Sequence, residues 1–401
     1  MFSLLMRLPT YMIALAVLLM MANRTGEATL GAYAAGLVAL SSSMTHHTYR
    51  ALSQRWGFRL VTIIAATLNI PAVAFLMMQT MTFADNKISG SITLLMVAAA
   101  CAGATTAPLG AMMRNMWGTR YTHNADRRLL IASTAFESIL DVIALPLAAA
   151  IVGLVAILGG IQSSLFAVIV INSLGLMFVV FRPSTFAFAR PVGAEMRVSI
   201  PRRYGAQSLG RYPMMGTACL GIAIGATQSA LLVRAIQSDA LGKVGIYMGA
   251  LGAAGALTCV VLLALLPRFA TWEGWLIVGI GLILSSLLLS IPESGVWLSV
   301  VMGIFGSVIG AALMCMDTLV TRLSARENVE LAHSSVQSTY VGGLALGYVW
   351  AVIFSNLTGP SAAMLVPLIA ATVFFMVGHL FGARWRTLYE EQLDLMNPQQ
   401  V

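Results

Sequence analysis

Apolar runs of roughly 20 residues recur along almost the whole chain, separated by short polar stretches. A helix that crosses a bilayer needs about 20 such residues. On that criterion the pattern predicts twelve spanning helices, at 4–23, 29–49, 60–80, 89–112, 129–153, 161–181, 213–235, 244–267, 273–291, 296–319, 332–355 and 361–382. The longest connection, 183–211, is basic and contains Pro183, Pro191 and Pro201. It divides the chain into an N-terminal six-helix half (1–182), a linker (183–211) and a C-terminal six-helix half with a short tail (212–401). The expected fold class is therefore an all-α polytopic membrane protein.

Composition points the same way. The chain is 59% hydrophobic and 9% charged, against about 25% charged for a soluble domain. Most of its surface must face lipid. A net charge of +8 could suggest a nucleic-acid partner, but the placement of the basic residues argues against one. With both termini in the cytoplasm, 19 of the 23 Lys and Arg fall on the inner side, and only Arg24, Lys87, Arg234 and Lys243 fall outside. That asymmetry orients a multi-pass protein of a bacterial inner membrane. The first run is longer than the apolar core of a signal peptide and many spans follow, so it reads as an uncleaved first helix. Cys101, Cys219, Cys259 and Cys315 lie inside apolar runs without paired spacing, as small buried hydrophobes. No Gly-rich phosphate loop, nucleophile elbow or metal constellation occurs, so neither cofactor nor metal is expected, and the chain is expected to be a monomer.

Against this background the stretch AFESILDVIALP, 135–146, stands out. It places Glu137 and Asp141 inside a span, where each carboxylate costs roughly 2.5–3.5 kcal/mol or more. They lie about 14 and 20 Å from the inner edge at 1.5 Å per residue. Their i, i+4 spacing puts both on one helix face with Ser133, Thr134 and Ser138, while Leu140, Ile143 and Leu147 take the opposite side. Two carboxylates about 6 Å apart in a poorly hydrated cavity do not both ionise easily. Such a pair can load and release a proton, or act as counter-ion to a cationic substrate. Alternatively, both stay neutral, hydrogen-bond to neighbouring helices and merely position the span.

Weaker candidates follow. Thr227 and Gln228 in span seven, and Gln337 and Tyr340 in span eleven, can supply donors and acceptors to a cavity ligand, or glue helices together. Arg24 and Arg234 can pair with Glu27 and Asp239 as an external gate, or simply snorkel. Asp317 is expected to pair with a nearby arginine such as Arg322. Pro71 and Pro146 suggest kinks in spans three and five. GxxxG at Gly245/Gly249, Gly306/Gly310 and Gly343/Gly347 marks close helix contacts.

The two halves also resemble each other: STAFESILDVIALP (133–146) lies over SSVQSTYVGGLALG (334–347), with Glu137 over Ser338 and Asp141 over Gly342. Repeats with a site at their interface are a transporter architecture. The loop YRALSQRWGFRLV adds a motif. Its Arg55, Gly57 and Arg59 resemble the cytoplasmic loop signature of the major facilitator superfamily, with Gln54 where that signature has Asp. APLGAMMRNMW (107–117), ESILDVIALPLAAA (137–150) and GIAIGATQSA (221–230) resemble small bacterial exporters of the same superfamily. The resemblance implies a secondary transporter, not an enzyme, that moves a small molecule by alternating access. Its expected partners are the substrate, protons and lipid. The favoured reading is a proton-coupled exporter, an antiporter, of an amphipathic or cationic compound. A facilitator or symporter for a metabolite is the alternative, and a non-transporting receptor or a membrane enzyme a remote one.

Overall fold

The computed structural model describes residues 2–83, 91–110, 112–113, 127–181, 210–238, 240–263, 272–292, 295–323 and 329–396. Among the described residues the chain is all α-helix, apart from short 3-10 turns at Leu241–Lys243 and Pro360–Met364. Twelve long helices succeed one another. In the first half they are α1 (Phe2–Thr25), α2 (Ala28–Trp56), α3 (Phe58–Met81), α4 (Ile92–Ala104), α5 (Arg127–Gly159) and α6 (Ser163–Phe181). In the second they are α7 (Arg211–Gln237), α8 (Val244–Leu263), α9 (Trp272–Leu288), α10 (Val296–Leu323), α11 (Val329–Thr358) and α12 (Leu365–Met396). The twelve expected spans each coincide with one of them. Linker residues 183–209 lie outside the described residues, and so do Arg114, Arg120, Asp239 and Arg326.

Nine stretches within these helices are long and apolar enough to cross a membrane, and α4 and α9 are shorter apolar helices. The remaining helix, α2, is too polar over its second part for a simple lipid span. Its polar side chains go inward instead: Ser42, His46 and Ser53 are buried. The most enclosed helices are α1 and α7, where Met12 to Ala22 and nearly all of Gly216 to Ala235 are buried. α6 and α9 display Phe166, Leu174, Met177, Ile277 and Leu284 outward. Twelve helices can only be arranged this way if α1 and α7 form the middle of the bundle.

The halves meet along two seams, α5 with α8 and α2 with α11. Both seams are made by backbones in close approach. A Cβ on Gly252 would meet the backbone of Pro146 and Ala150, and Gly153 packs on Gly245 and Gly249. Gly36 of α2 packs on Ala345 and Val349 of α11. All these positions lie in the part of the bundle remote from the face where α1 begins, hereafter the terminal face. Small residues let helices approach where no water drives them together. Of the expected GxxxG positions, Gly245 packs on α5, Gly306 and Gly310 on α8, and Gly343 and Gly347 on α7, whereas a Cβ on Gly249 would meet open space.

Three local features depart from the expected pattern. Span four stops at Ala104 rather than running to 112. The Thr105 and Thr106 hydroxyls donate back to the carbonyls of Cys101 and Gly103, Pro108 lacks a backbone donor, and helix resumes only at Leu109. Leu140 is buried, and Ile143 and Leu147 pack on the core instead of facing lipid; on α5 the outward residues are Phe136, Leu154, Ile157 and Leu158. Cys101 is exposed, whereas the other three cysteines are buried.

Candidate functional site

Glu137 and Asp141 sit on α5 against the start of α1, where Arg7 meets them both. The Arg7 guanidinium is almost wholly buried, at 2% exposure. Its Nη2 donates to Glu137 Oε2 at 2.5 Å and its Nε to Asp141 Oδ1 at 2.5 Å. Nη1 donates to the Ser3 carbonyl at 2.9 Å and to the Ser3 hydroxyl, which in turn donates to Glu137 Oε2 at 2.8 Å. A planar fork with five donors suits this task, because one side chain can reach two carboxylates one helical turn apart. The side chains of Ser133, Thr134 and Ser138, expected beside the acids, lie outside the described residues.

The break in α4 completes this wall. It turns the chain at Thr105 to Pro108 so that Gly110 lies directly against the Asp141 carboxylate, where a Cβ would overlap the carboxylate oxygens. The Thr106 and Ser42 hydroxyls lie 2.7 Å apart, and Ser42 lies next to the buried His46 one turn further along α2.

Asp141 opens onto a small cavity between the halves, lined also by Tyr11, Asp317, His333, Gln337 and Tyr340. On the opposite wall, Asp317 of α10 pairs with His333 Nδ1 of α11 at 3.0 Å. The expected partner, Arg322, has its side chain outside the described residues. Further from the terminal face, a second small cavity begins at Tyr11, Leu145 and Tyr340 and is otherwise mostly apolar. Gln228 lies in it, accepting from Tyr348 Oη at 2.6 Å. Thr227, expected beside Gln228, lines neither cavity, and its hydroxyl donates to Ala223 within its own helix. Together the two cavities run from a charged end near the terminal face to an apolar end near mid-bundle.

The other sequence candidates are placed elsewhere. Gly57 ends α2 at φ +85° and ψ 152°, a conformation that side chains resist, so the loop glycine is a steric requirement of the turn into α3. Arg59 donates to the Val180 carbonyl of α6, and Arg55 is exposed. Arg234 donates to the carbonyls of Leu289 and Pro292, tying α7 to the segment before α10. Its proposed partner Asp239 is outside the described residues, and Arg24 lies at the matching end of α1. Ser338, the repeat counterpart of Glu137, makes a reciprocal pair with Ser43: each hydroxyl donates to the other's carbonyl, at 2.8 and 2.9 Å.

Sequence reasoning missed Arg7 and Gly110. Arg7 was counted among basic residues that merely orient helices. A signal was present: Arg7-Leu8-Pro9 recurs as Arg211-Tyr212-Pro213 at the start of the second half. The repeat is exposed at Arg211 and buried at Arg7, since only α5 supplies acids to meet it. Gly110 has no such signature, because what requires it is a carboxylate distant in sequence.

No protein-family model matches the sequence, and no curated protein is significantly similar to it. Solved structures are similar in fold. A mutant of the nucleoside transporter NupG matches with a TM-score of 0.65 at 13% identity, covering 96% of this chain and 98% of that one. The human organic anion transporter MFSD10 (TETRAN) matches with a TM-score of 0.65 at 12% identity, covering 95% and 97%. NupG itself matches at 0.61 with 14% identity, covering 96% and 99%. The chain therefore shares the fold of these solved structures over nearly its full length.

Proposed function

We propose that the protein is a secondary transporter that exchanges protons for an amphipathic cation by alternating access of its two halves. The observation that carries this reading is one buried guanidinium shared by two carboxylates, of which Asp141 lines the cavity between the halves. A proton on Asp141 and a cationic cargo beside it would compete for the same carboxylate. Competition at a shared site is what makes exchange obligatory.

The two acids divide the work. Glu137, with its side chain 3% exposed and bonded to Ser3 and Arg7, holds the guanidinium. Asp141, 13% exposed and facing the cavity, is the group that changes partner. Asp317 and His333 face it from the other half, so closing the cavity changes the charge that Asp141 meets. Because protons run inward down their gradient in a bacterial inner membrane, exchange moves the cation outward, and the transporter works as an exporter. The α5–α8 and α2–α11 seams close the face remote from the termini. With cytoplasmic termini, this is the inward-facing state, ready to take cargo from the cytoplasm.

The test is proton flux in proteoliposomes carrying a pH-sensitive dye. Adding tetraphenylphosphonium to the wild type should drive proton movement. Asp141→Asn should abolish coupling, and Glu137→Gln should reduce it at least tenfold. Unchanged flux in Asp141→Asn would refute the exchange. Cation uptake without proton movement in the wild type would favour the facilitator reading instead.

A further inference from the structure

Between the charged and apolar ends of the cavity, two polar atoms are buried without a hydrogen-bond partner: the Tyr340 hydroxyl and Gln337 Oε1. Tyr340 is 2% exposed and lines both cavities, and Gln337 lines the one that holds Asp141. They lie three residues apart on α11, hence on one helix face. Such orphans are rare among buried polar groups and are costly to keep. The surroundings do not remove the cost. Gln337 spends its amide nitrogen on Tyr11 Oη of the other half, at 2.9 Å, and the Tyr11 ring stands edge-on to Tyr340 at 6.5 Å. With the amide nitrogen on Tyr11, the Gln337 oxygen is left as an acceptor.

We propose that Gln337 and Tyr340 form a neutral subsite that reads an amide group in the cargo. The amide N–H donates to Gln337 Oε1 and its carbonyl accepts from Tyr340 Oη. This deepens the cation reading above and rests on it for the remaining ends of the cargo. The order along the cavity sets the cargo's layout. A cationic amine lies toward Asp141 and Asp317, the amide sits at Gln337 and Tyr340, and an aromatic body enters the apolar cavity beyond Tyr340. Because Tyr11 belongs to one half and α11 to the other, the subsite exists in full only while the two are in contact. The cargo therefore senses the conformation through this bond.

Procainamide and procaine are a suitable pair of probes: both join a tertiary amine to an aminobenzoyl ring, but through an amide and an ester respectively. Calorimetric titration of the full chain in detergent should give procainamide about tenfold higher affinity, the effect of leaving one buried acceptor without its donor. Gln337→Leu should abolish that preference. Tyr340→Phe should weaken both compounds by a similar factor without lowering the melting temperature of the ligand-free protein, since its hydroxyl has no bond to lose. Asp141→Asn should weaken both yet preserve their ratio. If that variant binds both as tightly as the wild type, the charge reading fails while the amide subsite stands. Equal affinities for the two probes in the wild type, or no binding of either, would overturn the subsite. So would a clear loss of thermal stability in Tyr340→Phe, which would make the hydroxyl a structural one.

Discussion

Replacing Arg7 with Met should be among the most damaging single substitutions in the protein, and its repair should come from removing the charges it neutralises. Arg7 is buried and bonds both Glu137 and Asp141. Without it two carboxylates about 6 Å apart face each other. Their repulsion amounts to about 3 kcal/mol at an effective dielectric constant of 20. Breaking a buried ion pair by removing one partner typically costs about 3–5 kcal/mol, so the two routes to the magnitude agree. For a chain of 401 residues that corresponds to a drop in melting temperature of about 4–6 °C. The triple variant Arg7→Met, Glu137→Gln, Asp141→Asn removes every charge in the group, and such replacements are often nearly neutral. It should recover at least half of the loss. Tryptophan-fluorescence melts in detergent would read this, with all variants at one scan rate because unfolding of such proteins is commonly irreversible. A triple variant that melts as low as Arg7→Met would refute the argument, as would an Arg7→Met that melts like the wild type.

Two further outcomes follow from the same geometry. Gly110→Ala should cut transport to the level of Asp141→Asn, because the added Cβ displaces the carboxylate from Arg7; wild-type flux in that variant would contradict the placement of the α4 break. Gly57→Ala should cost about 1–3 kcal/mol, read as a lower melting temperature, while leaving cargo affinity unchanged, since its φ of +85° is what requires glycine and nothing crowds it.

Much of this architecture was legible in the chain, because a membrane imposes a strong and local rule. Every spanning segment must satisfy its own backbone and bury about 20 apolar residues, so length and hydropathy mark most of the helices, though not the polar α2 or the full extent of α4. The isolation of Glu137 and Asp141 within such a segment was equally plain, since few residues cost as much there. The halves' weak repeat was visible too, in the match of Glu137 to Ser338.

What the tertiary structure decided is how those costs are met. Arg7 lies 130 residues before Glu137, and nothing local distinguishes it from the arginines that orient other helices. Only the packing of α1 on α5 turns it into the shared partner of two acids. The polarity of α2, the stop at Ala104 and the need for Gly110 likewise make sense only from what they touch across the bundle. Hydropathy is a property of a segment and can be read along the chain. Charge balance and hydrogen-bond completion are properties of neighbours in space, and here those neighbours come from opposite ends of the sequence.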